Sequence, residues 1–113
     1  MRLRQPTDFL ILEALLAHGR NVATNLAEIT EKSRKNINNR LPVLVDYGLV
    51  RKIGPAEHSG LYEITERGTL AIENRDRYGS VDDFDRLLER KLDEGANAEA
   101  NAPLLRGSSD EEE

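Results

Sequence analysis

Ser33-Arg34-Lys35-Asn36-Ile37-Asn38-Asn39-Arg40-Leu41 leaves the polypeptide few options. A serine opens the segment, as a helix N-cap does, and its apolar residues recur at the spacing of one helix face. With Ile37 at the centre of the buried face, Leu41 and Leu44 fall on the same side at about 100° per residue. Lys35, Asn39, Pro42 and Asp46 then point outward, with Asn36 and Asn38 on the flanks. The outward face is therefore cationic and rich in amides. Solvation alone would favour Glu and Lys there, because Asn is a poor helix former.

The segments on either side build a context for this helix. A first helix begins near Thr7 or Asp8, just after Pro6, and its stripe of Phe9, Leu12, Leu15 and Leu16 has helical spacing. Gly19 sits where a left-handed C-terminal cap is expected. Asn21 is a good N-cap for a short helix from Val22 to Ile29, burying Val22, Leu26 and Ile29, and Thr30-Glu31-Lys32 supplies a tight turn. After Gly48, Leu49-Val50-Arg51-Lys52-Ile53 has the β-branched content of a strand, and Leu61-Tyr62-Glu63-Ile64 is its return. The loop between them, Gly54 to Gly60, is rich in turn residues. Thr65 caps a further helix to about Asn74 that carries Leu70 and Ile72. Ser80 with Asp83 resembles a capping box and opens a last helix from Val81 to about Asp93.

The order of two short helices, a longer basic helix and a glycine-flanked hairpin predicts a mainly α fold with a small β-hairpin wing (α+β). This is a winged helix-turn-helix with an additional C-terminal helix. Residues 1–75 are assigned to that domain and residues 80–94 to a C-terminal amphipathic helix. Residues 95–113 read as a disordered acidic tail, because their apolar content is too low to offset the entropy of ordering.

The formal net charge of −5 is unevenly spread. Lys32, Arg34, Lys35, Arg40, Arg51 and Lys52 face only Glu31 and Asp46 within residues 31–54, whereas the tail sets Arg106 against Glu99, Asp110, Glu111, Glu112 and Glu113. A basic stripe on an acidic molecule orients a polyanion. The surplus of Arg over Lys, with abundant acidic residues, suits a salt-adapted organism. Without cysteine, disulfides and thiolate metal sites are excluded, and His18 and His58 are too few for a zinc or catalytic cluster. No nucleophile–base set and no phosphate-binding glycine loop is visible, so an enzyme, a metal and a cofactor are not expected. No secretory start and no apolar run near the roughly 20 residues of a membrane span appear, so the expected location is cytoplasmic, with the nucleoid.

The stretch Ser33-Arg34-x-x-Ile37-x-x-Arg40-Leu41-x-x-Leu44-x-Asp46-Tyr47-Gly48-Leu49-Val50, followed by Gly60-Leu61-Tyr62-Glu63-Ile64-Thr65-x-x-Gly68, resembles haloarchaeal winged-helix regulators of the phage phi-H repressor-like family. It is similar also to the broader MarR and PadR winged-helix repressors. The resemblance covers roughly residues 7–75. It implies a DNA-binding repressor, usually dimeric, whose third helix reads bases and whose wing grips the backbone. Carried over by position, Arg34, Lys35, Asn36, Asn38 and Asn39 fall on the reading surface, and Arg51, Lys52, His58 and Ser59 on the wing. Pro42 departs from the pattern. It removes the hydrogen bond to the Asn38 carbonyl, at a cost of about 3 kcal/mol in a free helix, so either the helix kinks there or its reading portion ends early.

The chemistry of these side chains agrees with that implication. The amides of Asn38 and Asn39 match the N6/N7 edge of adenine, and Arg34 and Lys35 suit guanine or a phosphate. Ser33 starts this helix, while Arg20, Asn21 and Thr24 lie where the second helix would present its positive end to a phosphate. Arg40, at the edge of the core face, could pair with Glu28 or Asp46 as readily as touch a phosphate. Val81, Phe84, Leu87, Leu88 and Leu92, with Phe9, form a stripe that is core if it packs on its own first helix and a homodimer seam if it packs on a partner. The expected partner is double-stranded DNA. The competing expectations are a winged-helix protein-interaction module of a larger assembly and a non-specific architectural DNA-binding protein.

Overall fold

The computed structural model describes residues 1–54 and 60–95. In chain order the elements are α1 (Thr7–His18), β1 (Asn21–Val22), α2 (Ala23–Thr30), α3 (Arg34–Asp46), β2 (Val50–Ile53), β3 (Leu61–Ile64) and α4 (Glu66–Glu73). A 3-10 turn at Arg75–Arg77 follows, and then α5 over residues 84–95. The strands form an antiparallel sheet in the order β1-β3-β2, with Arg51 opposite Glu63 and Lys52 opposite Tyr62. This is the winged helix-turn-helix expected from the pattern. Residues 55–59 and 96–113, which hold the tip of the wing and nearly all of the acidic tail, lie outside the described residues.

The core is the junction of the helical stripes. Ile11 and Leu12 of α1, Leu26 of α2, Ile37, Leu41 and Leu44 of α3, Leu49, Ala71 of α4 and Leu88 of α5 are all fully buried. Complete burial of one such aliphatic side chain is worth about 1.5–3 kcal/mol, so each helix is held by its stripe rather than by intrinsic propensity.

Local hydrogen bonds set the ends of α3 and α4. The Ser33 hydroxyl accepts the Asn36 N–H at 3.0 Å, as the cap position requires. At the other end Gly48 takes a φ of +77°, its N–H donates to the Val45 carbonyl, and the Leu49 N–H reaches back to Leu44. These two bonds make a Schellman closure, which a left-handed glycine permits. Thr65 then caps α4 through the Gly68 N–H at 3.0 Å and donates its hydroxyl to the Gly48 carbonyl at 2.6 Å. Gly68 is obligatory for packing, since a Cβ there would stand 2.1 Å from the Leu49 carbonyl oxygen.

Four expectations need correction. Asn21 does not cap α2; it pairs with Tyr62 in β1, and Val22, in extended geometry, precedes the helix without a side-chain cap. Pairing with β3 draws these residues out of the helix. Val22 and Ile29 are exposed rather than buried, leaving Leu26 and Ala27 as the inward face of α2. The last helix begins at residue 84, because Asp83, not Ser80, accepts the Arg86 N–H at 3.1 Å, while Ser80 closes the preceding turn onto the Arg77 carbonyl. Pro42 does not end α3 early: the helix runs through it to Asp46. The carbonyl that proline releases belongs to exposed Asn38 and can be hydrated, while burial of Leu41 and Leu44 holds both sides of the break.

The proposed dimer stripe is largely spent within the chain. Phe9, Phe84, Leu87 and Leu88 are between 0% and 7% exposed, and edge-to-face contacts run from Phe9 to Tyr78 (5.9 Å) and from Tyr78 to Phe84 (5.2 Å). Side chains with so little free surface belong to the core formed with α1. Val81 and Leu92 are only partly buried.

One buried charge pair crosses this core. The Arg40 Nε and a terminal guanidinium nitrogen donate to the two carboxylate oxygens of fully buried Asp8, at 2.9 and 2.8 Å. Asp8→Ala leaves the cation without its acceptor and should cost about 3–5 kcal/mol in chemical denaturation. Asp8→Leu combined with Arg40→Met should recover most of that loss. A cost below about 1 kcal/mol for the single variant would show that water replaces the carboxylate.

Candidate nucleic-acid interface

The outward surface of α3 is open. Ser33, Arg34, Lys35, Asn38 and Asn39 are exposed and Asn36 is half-buried, while Ile37, Leu41 and Leu44 seal the opposite side. Arg34 and Lys35 lie in the first turn, where the free N–H groups of the helix also favour an anion. Among the described residues, the side chains of Arg34, Lys35, Asn38 and Asn39 make no hydrogen bond or ion pair, so their donors and acceptors are free for a ligand. A helix about 10–12 Å across fits a major groove about 12 Å wide, which brings such side chains to the base edges.

Arg40 stands apart from this ridge. Its partner is Asp8, rather than Glu28 or Asp46, and its side chain is 11% exposed. The hydrogen bond to Asp8 outweighs burial and raises its pKa, keeping the guanidinium charged. The carboxylate that engages it lies 32 residues away on α1, beyond the reach of a helical wheel.

The second surface lies at the base of the wing. Arg51 is exposed on β2, and its guanidinium donates to Glu63, directly across on β3, at 2.5 Å. Arg20, from the α1–β1 connection, approaches the other oxygen of Glu63 at 3.6 Å. Glu63 was not singled out from sequence, yet it holds two of the candidate phosphate contacts side by side. The signal that could have exposed it is the cross-strand register, which pairs unlike charges opposite one another. Lys52 is half-buried and engaged within the chain. Thr24 is exposed in the first turn of α2, and the Asn21 side chain accepts from the Asn25 amide at 2.8 Å. His58 and Ser59 fall outside the described residues. Among the described residues, no group of His, Asp or Glu is suited to a metal and no helix is long and apolar enough to cross a membrane.

Residues 4–51 match the family described as winged helix-turn-helix DNA-binding. Solved structures with the same fold include a MarR family protein from Bacillus stearothermophilus, with a TM-score of 0.55 at 18% identity, covering 88% of this chain and 77% of that one. BpsR of Bordetella bronchiseptica, whose DNA binding is regulated by 6-hydroxynicotinic acid, aligns with a TM-score of 0.56 at 16% identity, covering 83% and 80%. NMB1585, a MarR family regulator from Neisseria meningitidis, aligns with a TM-score of 0.51 at 18% identity, covering 92% and 80%. No curated relative matches the sequence. At these identities the structural likeness shows the fold alone, and the family match places a winged helix-turn-helix of the DNA-binding kind over residues 4–51.

The Arg51 hydrogen bond, joined by the charges of Arg51 and Arg20, outweighs the upward push of burial and holds the Glu63 pKa below the usual glutamate value. Glu63 therefore stabilises the wing above its unfolded pKa, and that contribution disappears as the pH falls through the lower folded value. In a carboxyl-resolved NMR titration Glu63 should titrate below the ordinary glutamate value, and Arg51→Ala should move it back up. An unshifted Glu63 in the parent protein would contradict the cross-strand pairing.

Proposed function

We propose that this chain is a sequence-specific transcriptional regulator, acting as a repressor by occluding its site. In this reading the helix over residues 34–47 enters the major groove, and the wing over residues 51–61 grips the backbone. The observation that carries it is the face of α3: free cations and amides outside, three fully buried aliphatic side chains inside. A protein-docking helix would instead present apolar surface, which α3 lacks on that side.

Arg34 and Lys35 are placed to take guanine or phosphate, and Asn38 and Asn39 to take adenine, with Asn36 on the flank. Ser33, Thr24, Asn21 and Arg20 serve the backbone nearby, Arg51 and Lys52 serve it from the wing, and His58 and Ser59 complete the wing by position. The homodimer belongs to the same proposal. One helix covers too few bases for a specific site, and two half-sites about 34 Å apart resolve that. Of the stripe named for the seam, Val81 and Leu92 retain free surface. A haloarchaeal, phi-H repressor-like origin is supported by the acidic composition with Arg in excess of Lys. A non-enzymatic role on chromosomal DNA, and hence a cytoplasmic, nucleoid-associated location, completes the reading.

The test is duplex binding with selection from a randomised pool. The parent protein should enrich a defined sequence that survives competitor DNA. Lys35→Ala and Asn39→Ala should each reduce discrimination at their own base positions by about 1–3 kcal/mol, while Arg51→Ala weakens all sequences alike. Enrichment of no sequence with retained affinity would indicate an architectural DNA-binding protein, and absence of duplex binding would indicate a protein-interaction module.

A further inference from the structure

Beside the proposed reading face lies an open recess of about 540 Å³ lined by Arg2, Leu3, Arg4, Arg40, Val43 and Tyr47. Three of the lining residues are arginines and none is acidic. The acid behind it, Asp8, is fully buried and already accepts from Arg40 and from the Arg4 N–H at 2.7 Å.

The chain over residues 2–4 is anchored at every residue through its backbone. The Tyr47 hydroxyl accepts the Arg2 N–H at 3.0 Å and donates to the Arg2 carbonyl at 3.2 Å. The Tyr78 hydroxyl accepts the Leu3 N–H at 2.7 Å, and Leu3 itself is buried. Asp8 holds Arg4. The Arg2 and Arg4 side chains take no part in this anchoring. Both residues are exposed, and among the described residues neither side chain has a hydrogen bond or ion pair. Two arginines are thus displayed on an ordered segment whose fastenings, Tyr47 and the Asp8–Arg40 pair, lead directly to α3.

Their placement relative to α3 identifies a ligand. Asn36, Val43 and Tyr47 recur at seven and eleven residues and share one flank of the helix, so the flank of Asn36 runs down into the recess. A helix of about 10–12 Å diameter nearly fills a major groove about 12 Å wide, so its flanks face the two sugar-phosphate walls. Between Asn36 and Val43 the helix rises about 10 Å, a span that brings several phosphates of one strand alongside.

We infer that Arg2 and Arg4 form a phosphate clamp on the Asn36 flank of α3, gripping one DNA strand independently of its sequence. This rests on the reading in which α3 enters a major groove. Arg, unlike Lys, engages a phosphate through two parallel N–H donors, and anchoring of the backbone reduces the entropy lost when each side chain docks. Arg40 is not part of the clamp; it lines the recess with its donors committed to Asp8 and, at 3.4 Å, to the Arg2 carbonyl.

The experiment uses the full chain and a labelled duplex carrying the sequence selected from the randomised pool, with a scrambled duplex beside it, across a salt series. Compared are the parent, Arg2→Gln/Arg4→Gln, and Arg86→Gln/Arg90→Gln as a charge-matched control on exposed positions of α5. Loss of two phosphate contacts per protomer should lower the salt slope by about 2 for each protomer bound, and weaken both duplexes about ten- to fifty-fold per protomer near 0.1 M salt. The preference for the selected duplex and the thermal midpoint should stay at parent values, and the control should keep the parent slope. An unchanged slope in Arg2→Gln/Arg4→Gln, while Lys35→Ala still reduces discrimination, overturns the clamp and leaves the functional reading intact. Equal losses in the control would assign the effect to net charge and also overturn the clamp. Failure of the parent to bind either duplex overturns the functional reading and the clamp together.

Discussion

The buried ion pair between Asp8 and Arg40 is the contact on which the geometry of the interface depends. Apolar packing of α1 against α3 is strong but non-directional, and stripes of Leu and Ile permit a helix to slide or roll by small amounts. A bidentate guanidinium–carboxylate pair does not, because both donors must meet both oxygens in one plane. A buried ion pair is poor evidence of net stability, since desolvation consumes much of the attraction. Its contribution here is orientation. It fixes the small roll of α3 against α1 that the apolar stripe leaves open, and the same Asp8 receives the Arg4 N–H, so the N-terminal segment is referred to the same anchor.

Cations elsewhere are divided between those spent inside the molecule and those left on its surface. Arg67 meets Asp85 at 2.8 Å, and the amino terminus of Met1 joins them. Burial pushes the Asp85 carboxyl up, but the hydrogen bonds and charges of the amino terminus and Arg67 outweigh it and leave the pKa lowered. Arg75 meets Glu13 across α1, and Arg51 and Arg20 share Glu63. Arg34 and Lys35 have no such partner among the described residues, although the chain carries 21 acidic residues against 16 basic ones. Exposed pairs such as Arg75–Glu13 contribute about 0–1 kcal/mol and are screened by salt. The larger effect of the Arg75–Glu13 and Arg67–Asp85 pairs is on the field, because each removes a cation from competition for an anionic ligand and sharpens the contrast around α3.

Much of the fold was legible because its signals are local. A serine hydroxyl reaches an N–H three residues on, a glycine at positive φ closes the helix behind it, and Ile37, Leu41 and Leu44 share a face by periodicity alone. The wing strands were legible for the same reason, from β-branched content between turn residues. The errors fell where distant segments meet. Asn21 reads as a cap until β3 pairs with it 41 residues later, and Ser80 reads as a cap until a turn on Arg77 takes it and Asp83 succeeds it. The apolar stripe of α5 allowed two readings, and only the ladder from Phe9 through Tyr78 to Phe84 placed it within its own chain.

The amino-acid sequence by itself determined the order of elements, the inward face of α3 and the chemistry displayed on its outward face. Those follow from hydrogen bonds and side-chain periodicities that operate over three to eight residues. Tertiary structure decided the partner of Arg40, the role of Glu63 between two arginines, and the fastening of residues 2–4 beside α3. The partner of Arg40 and the tyrosine hydroxyls that hold residues 2 and 3 come from segments 32 to 75 residues away, where no local spacing signals the contact, and Arg20 reaches Glu63 only once β1 has paired with β3.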